Sequence, residues 1–380
     1  MTAFVDWSAG ELDHLRAWVL RVMMRAQLLR RIFLDRAWRL FVLYLGFIAV
    51  ALAFCSLAPL WQLLLGPICY GFAHLAFSIR FFHYGLASPG QRDDGALKRR
   101  TYAALVGAAG IYTLYRIARS SGLVPGLASQ LSEWQGAVWI DVGFVLVVFL
   151  GGAWLYRKSP LRLVLGALIL APLSWLLWRE PLVTAGVLAL AHNLVAFVYW
   201  ISLARGRDRR FAFAALAVFL AVNAAIFGGL LDPIYEHLMI RDSLSWAGLS
   251  VASIGQLILP WAEGEMTWVH ATAAFAFGQS THYYVWLKAI PDQANDHPVP
   301  TSFRRSLRLL RRDFGSRTVL WVLGMVAASF FVWALLSFPG ARLLYFSVAG
   351  FHGYIEIAGL ALLGWGMGSR HRRDGNLVTS

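Results

Sequence analysis

The sequence predicts an all-α, polytopic integral membrane protein, a bundle of about ten transmembrane helices with both termini in the cytoplasm. Three observations predict this fold class. The 380 residues are 59% hydrophobic and only 14% charged, which is too little charge to cover the surface of a soluble protein of this size. Apolar windows of about 20 residues, the length that crosses a bilayer core, recur along the chain. The basic residues fall mainly in the short segments between these windows.

The apolar windows define a single transmembrane domain over residues 40–368. One of them contains Pro172, which we expect to kink its helix rather than end it. We expect spans near 40–60, 61–80, 101–118, 134–156, 161–178, 181–203, 209–231, 264–288, 318–338 and 342–368.

The distribution of charge tests this arrangement. With the N-terminus inside, 29 of the 34 Lys and Arg residues lie on the cytoplasmic side, as the positive-inside rule requires. With a wrong number of spans, the basic segments would be divided between the two sides of the membrane. The net charge of +14 is therefore explained by basic residues that mark the cytoplasmic side of the membrane. Because the basic residues are spread over many short segments, we expect no nucleic-acid partner. The predicted location is the cell inner membrane, crossed several times.

The two ends of the chain are predicted to lie outside the bilayer. Residues 1–39 interleave seven arginines with apolar residues at three- and four-residue spacing. This pattern is typical of an amphipathic helix lying on an anionic leaflet, and it does not have the single compact apolar core of a cleavable signal peptide. Residues 369–380 form a polar cytoplasmic tail. The segment at 289–317 is predicted to be hydrophilic and cytoplasmic.

Four histidines lie inside the predicted spans, one on each of four helices: His74, His192, His282 and His352. An ionisable side chain in hydrocarbon is costly, and it usually faces a cavity, a partner or a functional site. Neutral imidazole is also the commonest side-chain metal ligand. The four spans all run from outside to inside, and the histidine depths overlap. The pattern predicts one shared metal site between the helices, with these histidines as its ligands.

Two further residues are candidate catalytic groups. Glu356 follows His352 by four residues, so both side chains project from one helical face, and we expect the carboxylate to act as a ligand or a base. Tyr283, which directly follows His282, is the second candidate. The alternative for any single histidine is a structural hydrogen bond between helices. His270 is expected near the outer surface, away from the cluster.

Missing motifs narrow the chemistry. The sequence has no H-E-x-x-H helix, C-x-x-C pair, G-x-S-x-G elbow, Walker loop or dinucleotide-binding fingerprint. Imidazoles with one carboxylate favour iron, copper or zinc over magnesium or calcium. We expect non-haem iron, with one haem between His74 and His282 as the alternative. The placement of single histidines on separate spans resembles that in bacterial membrane carotene-cleaving dioxygenases. The likeness is one of arrangement, and no motif matches residue by residue.

These observations favour an iron-dependent oxidoreductase or oxygenase that acts on a lipid or isoprenoid. Its partners would be membrane lipids and a hydrophobic small-molecule substrate. The first alternative is a proton-coupled transporter in which the same histidines and Glu356 form the pathway. The second is a lipid-head-group transferase that uses the basic cytoplasmic loops to hold a phosphorylated donor. The sequence does not indicate an oligomeric state.

Overall fold

The computed structural model describes four continuous stretches of the chain: residues 2–85, 160–241, 250–259 and 261–294. It also describes short pieces elsewhere: 100, 103–104, 106–108, 110–111, 114–115, 244–245, 302, 304–305, 308, 324–325, 328–329, 332–333, 353 and 356. These residues are helical apart from short connections, and no strand occurs among them. The all-α prediction is therefore confirmed for the part of the chain that the structure describes.

The N-terminal region forms two helices ahead of the first predicted span. Helix α1 covers Thr2–Met23 and α2 covers Gln27–Leu34. The chain then turns at Asp35, whose carboxylate accepts the backbone N–H of Trp38 at 3.2 Å. Aspartate is a favoured N-cap because its oxygen satisfies a backbone donor of the first turn. The capped helix, α3, covers Arg36–Leu57, so it begins slightly earlier than the first predicted span.

The second predicted span is a bent helix. Helix α4 covers Pro59–Gly66, a π-helical turn covers Pro67–Gly71, and α5 covers Phe72–Gly85. Pro67 lacks the backbone N–H that a regular helix needs at this position. The axes of Pro59–Gly66 and Cys69–Ser78 differ by 42°. The bend sets the direction in which α5 runs past the centre of the bundle.

Three long helices and one short helix form the next described stretch. Helix α6 covers Pro160–Arg179 and is continuous through Pro172. Helix α7 covers Pro181–Leu203 and α8 covers Gly206–Phe227. The short helix α9, Asp232–His237, follows the predicted span near 209–231 and begins the connection to the predicted span near 264–288, a connection that the order of the spans predicts to lie outside. All three long helices lie where spans are predicted.

The central helix of the described bundle is α11, which covers Glu265–Tyr284. It packs against α3, α4, α7, α8 and the short helix α10, Val251–Ile258. A second π-helical turn, Val285–Ala289, and α12, Ile290–Gln293, continue the same helix. These turns extend into the start of the segment that is predicted to be hydrophilic, 289–317. Helical structure persists to Gln293 because this last turn is largely buried against the bundle.

Among the described residues, two helices are long and apolar enough to cross a membrane: α3 and α8, with mean hydropathies of 2.5 and 2.0. The bent α4–α5 pair is a third if it counts as one span. Only 33% and 22% of the most apolar stretches of α3 and α8 are buried, and Val50 and Leu220 are 68% and 50% exposed. Apolar surface of this extent is compatible with membrane association. By length and composition, two or three of the described helices thus qualify as membrane spans, and the ten-span bundle stays a prediction.

Polar contacts at the two ends of the bundle show which helix ends lie together. At one end, Asp208 pairs with Arg36 at 2.8 Å and accepts a hydrogen bond from Gln293 at 3.0 Å. At the other end, the Ile240 backbone N–H donates to the Leu57 carbonyl at 2.8 Å. The starts of α3 and α8 therefore lie beside the end of α12. Helices α3 and α8 run in one direction and α11 runs in the other.

Candidate metal centre

The central helix α11 carries the residue on which the site is built. His282 lies three residues before the second π-helical turn and is fully buried. His74 approaches it from α5, His192 approaches it from α7, and Glu356 approaches it from a helical position near the C-terminal end. His74 and Glu356 are also buried, and His192 is half-buried. Four chemically active side chains from separate parts of the chain thus meet inside the bundle.

Three of these residues have the spacing of metal ligands. One ligand atom each from His74, His282 and Glu356 lies within 4.8 Å of the other two. The distance from His282 Nε2 to Glu356 Oε1 is 3.5 Å. Ligand atoms that share a tetrahedral zinc ion, with bonds of about 2.0–2.2 Å, lie about 3.4 Å apart. The distance between His282 and Glu356 is close to this value.

The donor set fits a transition metal. Two imidazoles and one carboxylate form the facial triad of non-haem iron oxygenases, and the same set occurs in catalytic zinc sites. All three side chains are buried, so a bound ion would be shielded from water. A carboxylate and an imidazole in contact within an apolar bundle can also exchange a proton. The arrangement therefore has two chemical uses, holding a metal ion or relaying a proton.

His192 lies beside this triad rather than within it. Its ring centroid is 4.9 Å from that of His282, and the two rings are tilted by 58°. The next residue, Asn193, is buried against Gly278 of α11, where an added Cβ would lie 2.8 Å from Asn193 Nδ2. The glycine lets α7 approach α11 closely enough for the two imidazoles to touch. The group of three possible ligands does not include His192.

Tyr283 packs on the other histidine. Its ring centroid lies 4.7 Å from that of His74 and 6.2 Å from that of Tyr70, an exposed residue of the first π-helical turn. On the α4 side, Gly66 makes room for the tyrosine, since an added Cβ would lie 3.2 Å from Tyr283 Cε2. The predicted catalytic tyrosine thus contacts a ligand candidate through its ring.

Two further contacts, which the sequence analysis missed, fix the surroundings of His282. Gln62 Nε2 of α4 donates to Ser280 Oγ of α11 at 2.7 Å. One turn beyond His282, the Trp286 ring lies 6.4 Å from the imidazole and stacks on Tyr199 of α7 at 5.3 Å. A partly buried hydrogen bond and an aromatic stack therefore hold α11 against α4 and α7. A glutamine in an apolar run was the available signal for the first contact.

The structure thus brings together His74, His192, His282 and Glu356, and it places Tyr283 against His74. The fourth predicted ligand, His352, lies outside the described residues. Comparison of the chain with protein-family models, with curated proteins and with solved structures finds no match. Any function must therefore be argued from this geometry.

A second histidine of α11 belongs to a separate cluster near the other end of the helix. His270 Nε2 lies 2.6 Å from Asp232 Oδ1, at the start of α9, and its ring is 5.8 Å from that of Tyr235. Glu265, at the start of α11, pairs with Arg241 at 2.7 Å. Burial raises the pKa of the Tyr235 phenol above its usual range, so this phenol stays neutral. The cluster ties the segment after α8 to α11.

Proposed function

We propose that the protein is an integral membrane metalloenzyme, an iron-dependent oxidoreductase or oxygenase that acts on a lipid or isoprenoid substrate. One observation carries the proposal: His74, His282 and Glu356 bring two imidazoles and one carboxylate together inside an apolar helical bundle. Burying three such groups is costly unless they pair, relay protons or bind an ion. We further propose that the bundle is multi-pass and lies in the cell inner membrane.

The residues around the cluster have assignable roles in this function. His74, His282 and Glu356 would hold the iron, which would supply redox chemistry that protein side chains lack. His192, in ring contact with His282, would orient that ligand. Tyr283 lies against His74, where its phenol could exchange a proton with a bound substrate. The apolar exterior of the helices favours a substrate that reaches the site from lipid.

Metal content is the direct test. The full-length protein, purified in detergent from iron-supplemented cells, should contain close to equimolar iron by elemental analysis, with no haem band in its optical spectrum. His282→Ala and Glu356→Gln should each lower the iron content severely. Replacing a residue that only hydrogen-bonds to a metal ligand already lowers metal affinity by roughly 10–100-fold, and loss of a ligand itself should lower it more. His237→Ala is the matched control, because this histidine is exposed on α9 and should leave the metal content unchanged.

The other outcomes of this measurement discriminate between the functions. Zinc in place of iron would retain the metal centre and reject the iron assignment. A haem spectrum lost in both His74→Ala and His282→Ala would favour bis-histidine haem. Wild-type protein without metal under every growth condition would reject the metalloenzyme. The proton-coupled transporter would then be the better account, with proton uptake into proteoliposomes and its loss in Glu356→Gln as its test.

A further inference from the structure

Helix α1 presents an apolar stripe to its surroundings. Leu12, Leu15, Trp18, Val19 and Val22 recur at three- and four-residue spacing, so they share one side of the helix. They are 45%, 58%, 58%, 39% and 45% exposed. A continuous row of large apolar side chains at this exposure is unusual for a protein surface in water.

The opposite side of α1 is polar, and its first half contacts Arg304. Asp13 accepts the backbone N–H of Arg304 at 3.1 Å and lies 3.5 Å from Arg16. Gly10 is buried, and the Arg304 guanidinium occupies the space that a Cβ would need there. An amphipathic helix of a soluble protein normally packs its apolar side against the protein interior. The apolar side of α1 is exposed instead. We therefore expect it to bind an apolar partner outside the described bundle.

Helix α2 extends this surface towards the first membrane span. Leu28 and Leu34 are exposed, whereas Phe33 is buried and anchors the helix to the bundle. The capping residue Asp35 directly follows, and α3 begins at Arg36. The exposed apolar residues of α1 and α2 are therefore tethered close to the end of a helix that is long and apolar enough to cross a membrane.

The charges beside this surface identify the partner. Residues 14–34 contain five arginines and no acidic residue, and four of these arginines, Arg21, Arg25, Arg30 and Arg31, are exposed. Two copies of so basic a face would repel each other. An anionic lipid surface supplies both complementary charge and an apolar layer into which such a helix can sink by about 5–10 Å.

We propose that Leu12, Leu15, Trp18, Val19 and Val22 of α1, with Leu28 and Leu34 of α2, form a lipid-docking surface that inserts into an anionic membrane leaflet. The flanking arginines contact the lipid phosphates. This surface is independent of the metal centre, since no residue of it touches His74, His282 or Glu356 in the described contacts.

The experiment uses the full chain in lipid nanodiscs. An environment-sensitive thiol dye is placed on the stripe through Val19→Cys in a Cys69→Ser background, since Cys69 is exposed and Cys55 is buried. The matched control is Ala17→Cys, which lies on another side of α1 and is also exposed. In discs of phosphatidylcholine with phosphatidylglycerol, the dye at position 19 should emit at shorter wavelength and be quenched several-fold less by aqueous iodide than the dye at position 17.

Two comparisons make the result decisive. In phosphatidylcholine discs the protection at position 19 should fall, and Arg21→Gln with Arg25→Gln should lower it in the anionic discs. Equal quenching at positions 17 and 19 in the anionic discs would overturn the proposal. Equal protection in neutral and anionic discs would overturn the assignment of anionic headgroups. Protection that appears only in discs holding two chains would assign the stripe to a second copy and would also overturn the proposal.

Discussion

At Gly278 of α11, an added side chain would meet the amide group of Asn193 on α7. The missing Cβ would lie 2.8 Å from Asn193 Nδ2, and Asn193 adjoins His192. Gly278→Ala should therefore push Asn193 away and weaken the contact between the His192 and His282 rings. Overpacking of this kind costs roughly 1–3 kcal/mol. We expect a lower midpoint of thermal unfolding in detergent and a reduced metal content.

Two other glycines provide controls for this substitution. Around Gly46 of α3 nothing lies within 4 Å of an added Cβ, so Gly46→Ala should be neutral or slightly stabilising, by up to about 1 kcal/mol. At Gly255 of α10 the added Cβ would meet the backbone carbonyl of Trp268. Backbone cannot rotate away as a side chain can, so Gly255→Ala should be the most damaging of the three. Equal midpoints for all three variants would contradict this account of helix packing.

The sequence predicted three of the histidines now found in contact, because an imidazole in an apolar run is costly and so carries information. It also singled out Glu356, through its spacing from His352. It could not predict that Glu356 would lie 3.5 Å from His282, or that His192 would stand beside the group of three. Those facts depend on the rotation of each helix about its axis, and apolar helix faces do not encode that rotation.

The same limit applies to the partner of His270. The sequence predicted that His270 lies away from the cluster, but not that it contacts Asp232, 38 residues earlier in the chain. Loop geometry brings α9 back onto α11, and a hydrophobicity pattern contains no information about that return.

At the scale of the helices, a buried charge cluster fixes the end of α12 against the start of α3. Arg39 and Asp292 are 1% and 4% exposed, their closest side-chain atoms lie 3.9 Å apart, and Lys288 Nζ lies 3.0 Å from the same carboxylate. Arg39 Nη1 also donates to the Phe33 carbonyl at 2.7 Å. The cluster therefore connects the end of α2, the first turns of α3 and the last turn of the central helix.

Asp292→Asn removes the negative charge from this cluster without changing its shape. It leaves the buried Arg39 guanidinium without its counter-ion, and breaking a buried ion pair costs about 3–5 kcal/mol. Glu265→Gln is the matched control, because its pair with Arg241 is largely exposed and such pairs contribute about 0–1 kcal/mol. Thermal unfolding in detergent should show a large loss of stability for the first variant only. Comparable midpoints would reject a structural role for the cluster.

Helix positions were predicted better than helix shapes. The expected spans near 181–203 and 209–231 agree closely with α7 and α8, because apolar length alone sets their limits. The two π-helical turns were not predicted, since the apolar run continues through both. Pro67 and Pro291 were the available signals, as a proline disturbs the backbone hydrogen bonding of the helix around it. Such turns are frequent at functional sites, and here one precedes His74 and the other follows His282.

For the whole molecule, the arrangement of helix ends agrees with the distribution of charge. The end at which Arg36, Asp208 and Gln293 meet also contains Arg207 and Lys288, in segments that the positive-inside rule assigns to the cytoplasm. The opposite end contains the contact of Ile240 with Leu57, in a segment assigned to the outside. The contacts give the relative directions of α3, α8 and α11, and the distribution of charge predicts which end faces the cytoplasm.

Reporter fusions test this orientation and the ten-span bundle together. In the full chain, an enzyme reporter that is active only outside the cytoplasm should be active at positions 125 and 240 and inactive at 95, 207 and 300. A reporter that is active only inside should give the reverse pattern. The expectation follows from the antiparallel course of α8 and α11, which places position 207 beside the end of α12 and position 240 at the opposite end of the bundle. An outside signal at 300 would contradict it, because the contact of Gln293 with Asp208 places the end of α12 beside the start of α8. Agreement at 207, 240 and 300 with failure at 95 or 125 would instead locate the error among the predicted spans between residues 86 and 159.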